Sequence, residues 1–505
     1  MTLITDRYAQ KISGILTCFD RILIQGTLPM LCHARGMTAY LNTRRIHIFD
    51  YARFAEPHRD RIRANAERLA AENGIKIEFV RNHETRKETL IQKVLKKRGL
   101  HPGLVAILSA LEVCPTYKPW HDKQTHQNYL KPDQSKSLHY YFYFIDNELG
   151  LCYVRVPTWC PFRLQIYFNG HNWLAAQLRK RGIAFNLIDN AFVHIDDWNT
   201  ANKLAEQLQA RKLHRILDRF ALRFCPVIRA LDVDYHWSFQ QVEYATDIVF
   251  RRQSELQDLY GNLIRTAIHS VKPDNVASFL GRKLNGNCQD EIGNDFHTRI
   301  EGTRIKHHMG PASIKMYDKF GLILRIETTA NDISFFKHYR TVEHRDGTRE
   351  TAWASMKKGI YSIAPLHEVL AASNRRYLQF ISALNDPSDG IRALHKISRS
   401  VTERDRNYSG FNFFDDQDQQ LFELIARGEF NIRGFQNKNL RRHLADKSGA
   451  QNSRLLKRLR LHGLVKKVTG TYRYYLTKLG RLVIAAGLKL KGLFLVPELI
   501  AARVE

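Results

Sequence analysis

The run 455–480, "LLKRLRLHGLVKKVTGTYRYYLTKLG", decides how the end of the chain is read, and the rest is taken outward from it. Leu455, Leu456 and Leu459 recur at i, i+1, i+4, while Arg454, Lys457 and Arg458 repeat at i, i+3, i+4 on another face. That spacing predicts a helix over 450–462 with one face for packing and one for charge, stopped by Gly463. Leu464 to Val468 and Tyr472 to Leu476 are short β-prone runs joined by Thr469-Gly470-Thr471, a hairpin signal, and a further helix starts near Lys478. Upstream, Leu421, Leu424 and Ile425 predict a helix over 416–427 ending near Gly428, and Asn437 can cap a short helix through Leu444. Between Gln436 and Arg481 stand thirteen Lys and Arg against one acid, Asp446, more than solubility requires.

This succession of helices and hairpin resembles the MarR-type winged-helix family, over 411–490 alone. The resemblance implies DNA binding, with Arg454, Lys457 and Arg458 on the recognition helix and Arg473 in the wing as contacts. Arg460, Lys466 and Lys467 of the same basic run join them as nucleic-acid-binding candidates. Winged helices also bind RNA or pack against proteins, so those uses stay open.

The chain has 505 residues, enough for two or three domains, and its 44% apolar content is ordinary for a globular protein. Its formal net charge of +28 is not ordinary, and the excess is spread along the whole length. A polyanion contacted over a broad surface is the expected partner: DNA first, RNA as the alternative. No apolar run is long enough to span a bilayer, no lipidation motif is present, and Met1 to Gln10 lacks the apolar core of a secretory signal. With seven cysteines and no C-x-x-C pair, the expectation is a cytoplasmic protein with reduced thiols and no membrane partner. No cofactor is evident; Mg2+ or Mn2+ enters only if the protein is a nuclease.

From the N-terminus, Ile22 to Leu28 reads as a strand, 57–73 as an amphipathic helix stopped by Gly74, 75–80 as a strand, 87–98 as a helix and 104–108 as another strand. Such alternation predicts an α/β domain over 1–200 with a mixed sheet. The polar stretch 116–136 reads as a loop. "HYYFYFID" and "LCYVRVPT" flank Asn147-Glu148-Leu149-Gly150 and predict a hairpin, followed by a strand at 162–168, a helix at 172–181 and the strand "AFNLID". Three strands, a helix and a fourth strand is the order of the RNase H-like core, where acids near strand ends hold magnesium. Asp146 and Asp189 fall at such places, and both also read as turn residues.

Leu213, Leu217, Phe220, Phe224 and Val227 make a helical stripe, and Val242, Ala245, Val249, Leu256, Leu259 and Leu263 predict a second long helix, so 201–270 reads as a helical middle region. The Gly-, Asn- and base-rich stretch 273–311 reads as a basic loop in which Arg282, Lys283, Arg304 and Lys306 meet phosphates. After it, "SIKMYDKFGLILRIETT" (313–329) predicts a hairpin around Lys319-Phe320-Gly321. "IKMYDK" followed by "LRIE" resembles the basic, Tyr- and acid-bearing hairpin of rolling-circle replication initiators. That resemblance implies Tyr317 as a nucleophile, with Asp318 and Glu327 close enough for a metal beside His308. An ordinary Arg325–Glu327 strand with no chemistry is the other reading.

The domain reading is therefore 1–200 α/β, 201–270 helical, 271–385 basic loop and β-hairpin, 386–410 linker, 411–490 winged helix-turn-helix and 491–505 tail. The functional expectation is a DNA-handling protein of a mobile-element or replication setting. Its alternatives are a metal-dependent transposase or initiator-like nuclease using Asp146, Asp189, Tyr317, Asp318 or Glu327, and a non-catalytic MarR-like transcriptional regulator or RNA-binding partner.

Overall fold

Dense β-branched and aromatic runs make strands the dominant element before residue 385. The computed structural model describes residues 3–82, 86–283, 292–299, 302–384, 388–427, 430, 434–444 and 447–501. The chain divides into two compact units, Met1–Asn385 and Asp386–Glu505.

Unit 1 is mixed α/β and is built on one large sheet. In chain order its strands are β1 (Ile12–Thr27), β2 (Ile77–Phe79), β3 (Gly103–His121), β4 (Asn128–Asp146), β5 (Gly150–Pro157) and β6 (Leu164–Asn169). The pair β7 (Phe185–Ile188) and β8 (Ala191–Ile195) forms a separate hairpin. Then come β9 (His236–Phe250), β10 (Ile292–Arg299), β11 (Gly302–Met309), β12 (Ala312–Lys319) and β13 (Ile323–Ala330). The sheet order is β10-β11-β12-β13-β9-β1-β6-β5-β4-β3-β2, and among the described residues the single parallel pairing is β2 with β3. A second hairpin, β14 (Lys337–Glu343) with β15 (Arg349–Ser355), stands outside the sheet.

The helices that matter here are α1 (Tyr51–Glu72), α2 (Lys87–Arg98), α3 (Gly170–Lys180), α4 (Ala210–Phe224), α5 (Gln253–Ser270) and α6 (Ile363–Leu384). Helices α1, α4 and α6 share one apolar core with one face of the sheet. The stripe on α4 does this by aromatic contact: Phe220 meets Phe144 edge to face at 4.8 Å, and Phe224 stacks on Phe142 at 4.9 Å between ring centroids. The opposite face is covered at one end by α2, over Tyr141, Tyr143 and Tyr153, and is polar in its middle.

Several local expectations change. The predicted long helix from Val242 is strand β9 up to Phe250, and α5 begins only at Gln253. The reason is parity: Val242, Tyr244 and Ile248 are fully buried, and Thr246 lies between them on the same side, a period of two that a helical spacing of Val242, Ala245 and Val249 mimics. The expected loop at 116–136 is the far end of β3 and β4, paired from Cys114–Ser135 out to His121–Asn128. The expected basic loop includes a short helix, Pro273–Phe279, and the β10–β11 hairpin; Asn285, Gly286 and Asn287 lie outside the described residues. The RNase H-like order fails at its fourth strand, because β7 pairs with β8 and not with the main sheet. The sheet runs across the boundaries drawn at 200 and 270, since β9 and β13 continue from β1.

In unit 2, α7 (Ser388–Ser398) and a small hairpin, β16 (Val401–Glu403) with β17 (Arg406–Tyr408), occupy the stretch read as a linker. Next follow α8 (Asp416–Ile425), α9 (Asn437–His443), α10 (Gly449–Leu461), β18 (Val465–Lys467), β19 (Tyr474–Leu476) and α11 (Lys478–Leu490). Ile397, Phe411, Phe422, Leu440, Leu459 and Ile484 close a core of its own. The predicted stop at Gly428 and the lone acid Asp446 lie outside the described residues. Among the described residues no helix is long and apolar enough to cross a membrane.

Candidate functional site

The polar middle of the sheet is where charge concentrates. Strand alternation puts Glu243 and Asp247 of β9, Arg325 and Glu327 of β13, and Lys315, Tyr317 and Lys319 of β12 on one face. Asp20 joins them from β1, where the register against β9 shifts between Phe19 and Ile22. A bulge re-aims a side chain, and here it turns the Asp20 carboxylate into the cluster.

The inner half is a closed ion network. Arg325 is fully buried and bonds Asp247 twice, Nε to Oδ1 and Nη2 to Oδ2, both at 2.6 Å. Its Nη1 donates to Asp20 Oδ2 at 3.0 Å and Nη2 also donates to the Asn190 carbonyl at 2.7 Å. Asn169 and Asn190 donate their amides to Asp20. His171, at the start of α3, lies 3.3 Å from Asp20 Oδ1 and 3.7 Å from Asp247 Oδ2. Burial alone would raise the Asp20 carboxyl, but Arg325, His171 and Asn190 more than offset it and hold it far below the carboxylate range. For His171 burial works downward, and Cys18, Asp20 and Asp247 overcome it and raise the imidazole well above its ordinary value.

The outer half is more open. Lys315 Nζ donates to Glu327 Oε1 at 2.7 Å and to Glu243 Oε1 at 3.2 Å, and the Tyr317 hydroxyl donates to Glu327 Oε2 at 2.7 Å. Carboxylate oxygens of Asp20, Glu243 and Glu327 all lie within 4.8 Å of one another. Burial and the nearby Glu327 raise the Glu243 carboxyl. Hard oxygen donors at this separation suit a divalent cation, for which the Lys315 ammonium is the resident competitor.

Of the sequence candidates, Tyr317 and Glu327 stand in this cluster. Asp189 borders it, 3.8 Å from Lys319, at a left-handed position with φ of 56° and a largely exposed side chain. Asp318 points to the other face of β12, by the alternation that places Tyr317 inward. Asp146 is a turn residue elsewhere: its Oδ1 accepts from the Glu148 and Leu149 amides and its Oδ2 from Arg219. His308 lies 3.6 Å from Asp295 of β10, and Lys306 is 3.9 Å from the same carboxylate. Arg304 shares their strand, β11, whereas Arg282 rests over the Phe335 ring at 5.0 Å and Lys283 is exposed. Sequence reasoning missed Asp20, Glu243 and Asp247. The signal was present as acids at even spacing inside apolar strand runs, "CFDRILI" and "VEYATDIV".

Unit 2 presents a second surface. Arg458 is turned inward and donates to Asp418 through two nitrogens and to the carbonyls of Ser409 and Gly410. Lys457 pairs with Glu403, and Arg454 reaches the Asn407 carbonyl while staying exposed. Arg441, Arg442, Arg460, Lys466, Lys467 and Arg473 are exposed, and Tyr472 at the hairpin tip is 80% exposed with Lys467 over its ring.

Fold and sites together define a mixed α/β protein with a carboxylate-rich sheet face in one unit and a basic helix-and-hairpin surface in the other. No protein-family model matches the chain, and no curated protein or solved structure matches it either.

Proposed function

We propose that the chain is a nucleic-acid-binding protein whose C-terminal unit is a winged helix-turn-helix that docks on duplex DNA. In this reading α9 and α10 are the helix-turn-helix, tied together by Asn437 Nδ2 donating to the Gly449 carbonyl and to Ser453 Oγ. The β18–β19 hairpin is the wing. The observation that carries the reading is the run of exposed cations along this hairpin and helix: Arg454, Arg460, Lys466, Lys467 and Arg473. Phosphates reward cations held outward on a rigid scaffold, through counterion release. Arg458 is reassigned to internal support and Lys457 to the small hairpin, so Arg454 and the wing carry most of the contact. The size of unit 1 and the basic charge of the chain support a DNA-handling role of the mobile-element or replication kind over simple repression.

Fluorescence anisotropy of the whole chain on a labelled duplex, titrated with salt, tests this. Replacing Lys466, Lys467 and Arg473 with Ala lowers the salt slope by about one unit per lost phosphate contact. An unchanged slope, or binding indifferent to salt, removes the assignment.

The Asp20–Glu243–Glu327 cluster favours a second reading, metal-dependent phosphodiester chemistry with Mg2+ or Mn2+ as in a nuclease or transposase. Asp20, Glu243 and Glu327 would hold the ion, which would polarise a phosphoryl oxygen. The Tyr317 hydroxyl donates to Glu327 Oε2 at 2.7 Å and so orients that carboxylate, and burial and Glu327 raise its phenol well above the ordinary value. Cleavage of bound DNA that requires divalent metal and is abolished in Glu327→Gln supports this second reading; cleavage unchanged in that variant rejects it.

A further inference from the structure

The β14–β15 hairpin of unit 1 carries two large aromatic rings that its own fold leaves uncovered. Tyr339 is 63% exposed and Trp353 is 70% exposed. They are direct cross-strand partners, with ring centroids 6.3 Å apart and planes at 54°. Alternation places Lys337 and Thr341 on the same outer face, so the aromatic pair is bordered by one cation and by hydroxyl groups. Between Lys337 and Lys358 the segment holds six Lys or Arg and three acids. Adjacent exposed rings of this kind offer a contact surface to a partner that can stack on them.

The hairpin's root is firmly held. The Met356 amide donates to the Phe336 carbonyl, the Phe239 amide of β9 donates to the Lys358 carbonyl, and Lys358 Nζ lies 2.6 Å from Asp332. Arg340 fastens the ladder by donating to the Ser355 carbonyl from two nitrogens. The rings are thus presented on a rigid two-stranded ribbon and not on a floppy loop. The ribbon follows β13, whose final residues pair with Glu243 and Val242 of β9, so it leaves the sheet beside the carboxylate cluster.

We propose that Tyr339 and Trp353 form a stacking platform for unpaired nucleobases, so that unit 1 binds single-stranded nucleic acid through this hairpin. Every base offers a π-face, so the platform is tolerant of sequence, while Lys337, on the same face as the rings, favours the polyanionic backbone. The inference rests on the nucleic-acid reading above and extends it from duplex docking by unit 2 to capture of an opened strand by unit 1.

The test uses the full-length protein with a fluorescein-labelled single-stranded oligodeoxynucleotide, the same sequence as RNA, and its duplex. Trp353→Ala and Tyr339→Ala each weaken single-strand binding about tenfold, in line with the stacking worth of one base, and leave duplex affinity unchanged. Trp353→Phe retains most of the binding, because the π-face remains. Loss on the DNA and RNA strands alike supports a platform for bases in general; loss on one alone assigns the opened strand to that chemistry. Both rings are exposed, so the variants keep the parent melting temperature. Equal single-strand affinity in variants and parent overturns the proposal, as does an equal loss on duplex or a loss seen only on anionic phospholipid vesicles. If the parent binds duplex and no single strand, this inference alone fails; if it binds neither, the wider reading fails with it.

Discussion

Arg458 grips Asp418 through two hydrogen bonds, Nη1 to Oδ1 at 2.7 Å and Nη2 to Oδ2 at 2.9 Å, with both side chains largely withdrawn from water. A side chain spent in this way is not available to a phosphate. Arg458→Ala strands a carboxylate whose partner is gone, and removing one member of a buried pair costs about 3–5 kcal/mol. The expected result is a lower melting temperature for unit 2 in a calorimetric scan of the full chain. Arg454→Ala, on the exposed part of the same helix, leaves melting alone and weakens duplex binding. Equal stability of Arg458→Ala and parent would return Arg458 to the DNA-contact set.

Arg325 plays the same part deeper in unit 1, where it holds Asp20 and Asp247 together. Its planar fork serves both carboxylates at once, and a lysine ammonium does not reproduce that geometry. Arg325→Lys is therefore expected to destabilise unit 1 nearly as much as Arg325→Met, by about 3–5 kcal/mol in urea unfolding. A lysine variant with parent stability would show that charge alone, and not the fork, is what the network requires.

The bulge that aims Asp20 depends on a glycine. A Cβ at Gly170 would stand 2.1 Å from the Phe19 carbonyl oxygen, and that neighbour is backbone and unable to rotate away. Gly170→Ala is expected to push β1 from the start of α3, to cost about 1–3 kcal/mol as overpacking does, and to disturb the Asp20 position. Gly182→Ala provides the contrast. Its Cβ meets nothing within 4 Å, so its cost comes from a φ of 69° alone and leaves the cluster intact. Comparison of amide spectra around Asp20 in the two variants separates these causes.

How far the sequence revealed this arrangement differs by element. The helix, hairpin and final helix of unit 2 follow from spacing in 411–490, because each is a local pattern with its own stop signal. The α4 stripe and the β4–β5 hairpin are legible for the same reason. The carboxylate cluster is not, since Asp20, Glu243 and Glu327 come from strands far apart in sequence and meet only through the pairing of β1, β9 and β13. Glu327 and Tyr317 were found because β12 and β13 form a local hairpin; Asp20 depends on a bulge that no periodicity announces. The Arg458–Asp418 pair is not legible either, because helical spacing shows which residues share a face and not what covers it.

Acid should weaken unit 1 through Glu112 and His139. Burial would raise the Glu112 carboxyl, but Tyr141, Arg155 and Lys87 hold it down at about 2 against an ordinary 4.5. A depressed carboxylate stabilises the fold above its unfolded value, and that contribution is lost as pH falls from about 4.5 toward 2. His139 is held neutral at about 4, mainly by burial and next by Arg155, against an ordinary 6.5. Keeping it uncharged costs nothing above 6.5, and the fold loses stability as pH falls from there toward 4. Melting temperatures measured between pH 7 and 3 should fall in both windows; Glu112→Gln should flatten the lower one and His139→Gln the upper. A parent profile without an acid limb would contradict both assignments.

Lys315 decides how the carboxylate cluster meets a metal. Its ammonium already bridges Glu243 and Glu327, so a divalent ion must displace a bonded cation before it can bind. Lys315→Met removes the competitor and leaves the two glutamates facing each other, which raises the attraction for a divalent charge. A ligand that binds only the folded state stabilises it by RT ln(1 + [L]/Kd). Millimolar Mn2+ is therefore expected to raise the melting temperature of Lys315→Met more than that of the parent, and Glu327→Gln in the same background should cancel the gain. No shift in any of the three would mean that the acids are balanced by Lys315 and Arg325 alone, with no metal to hold.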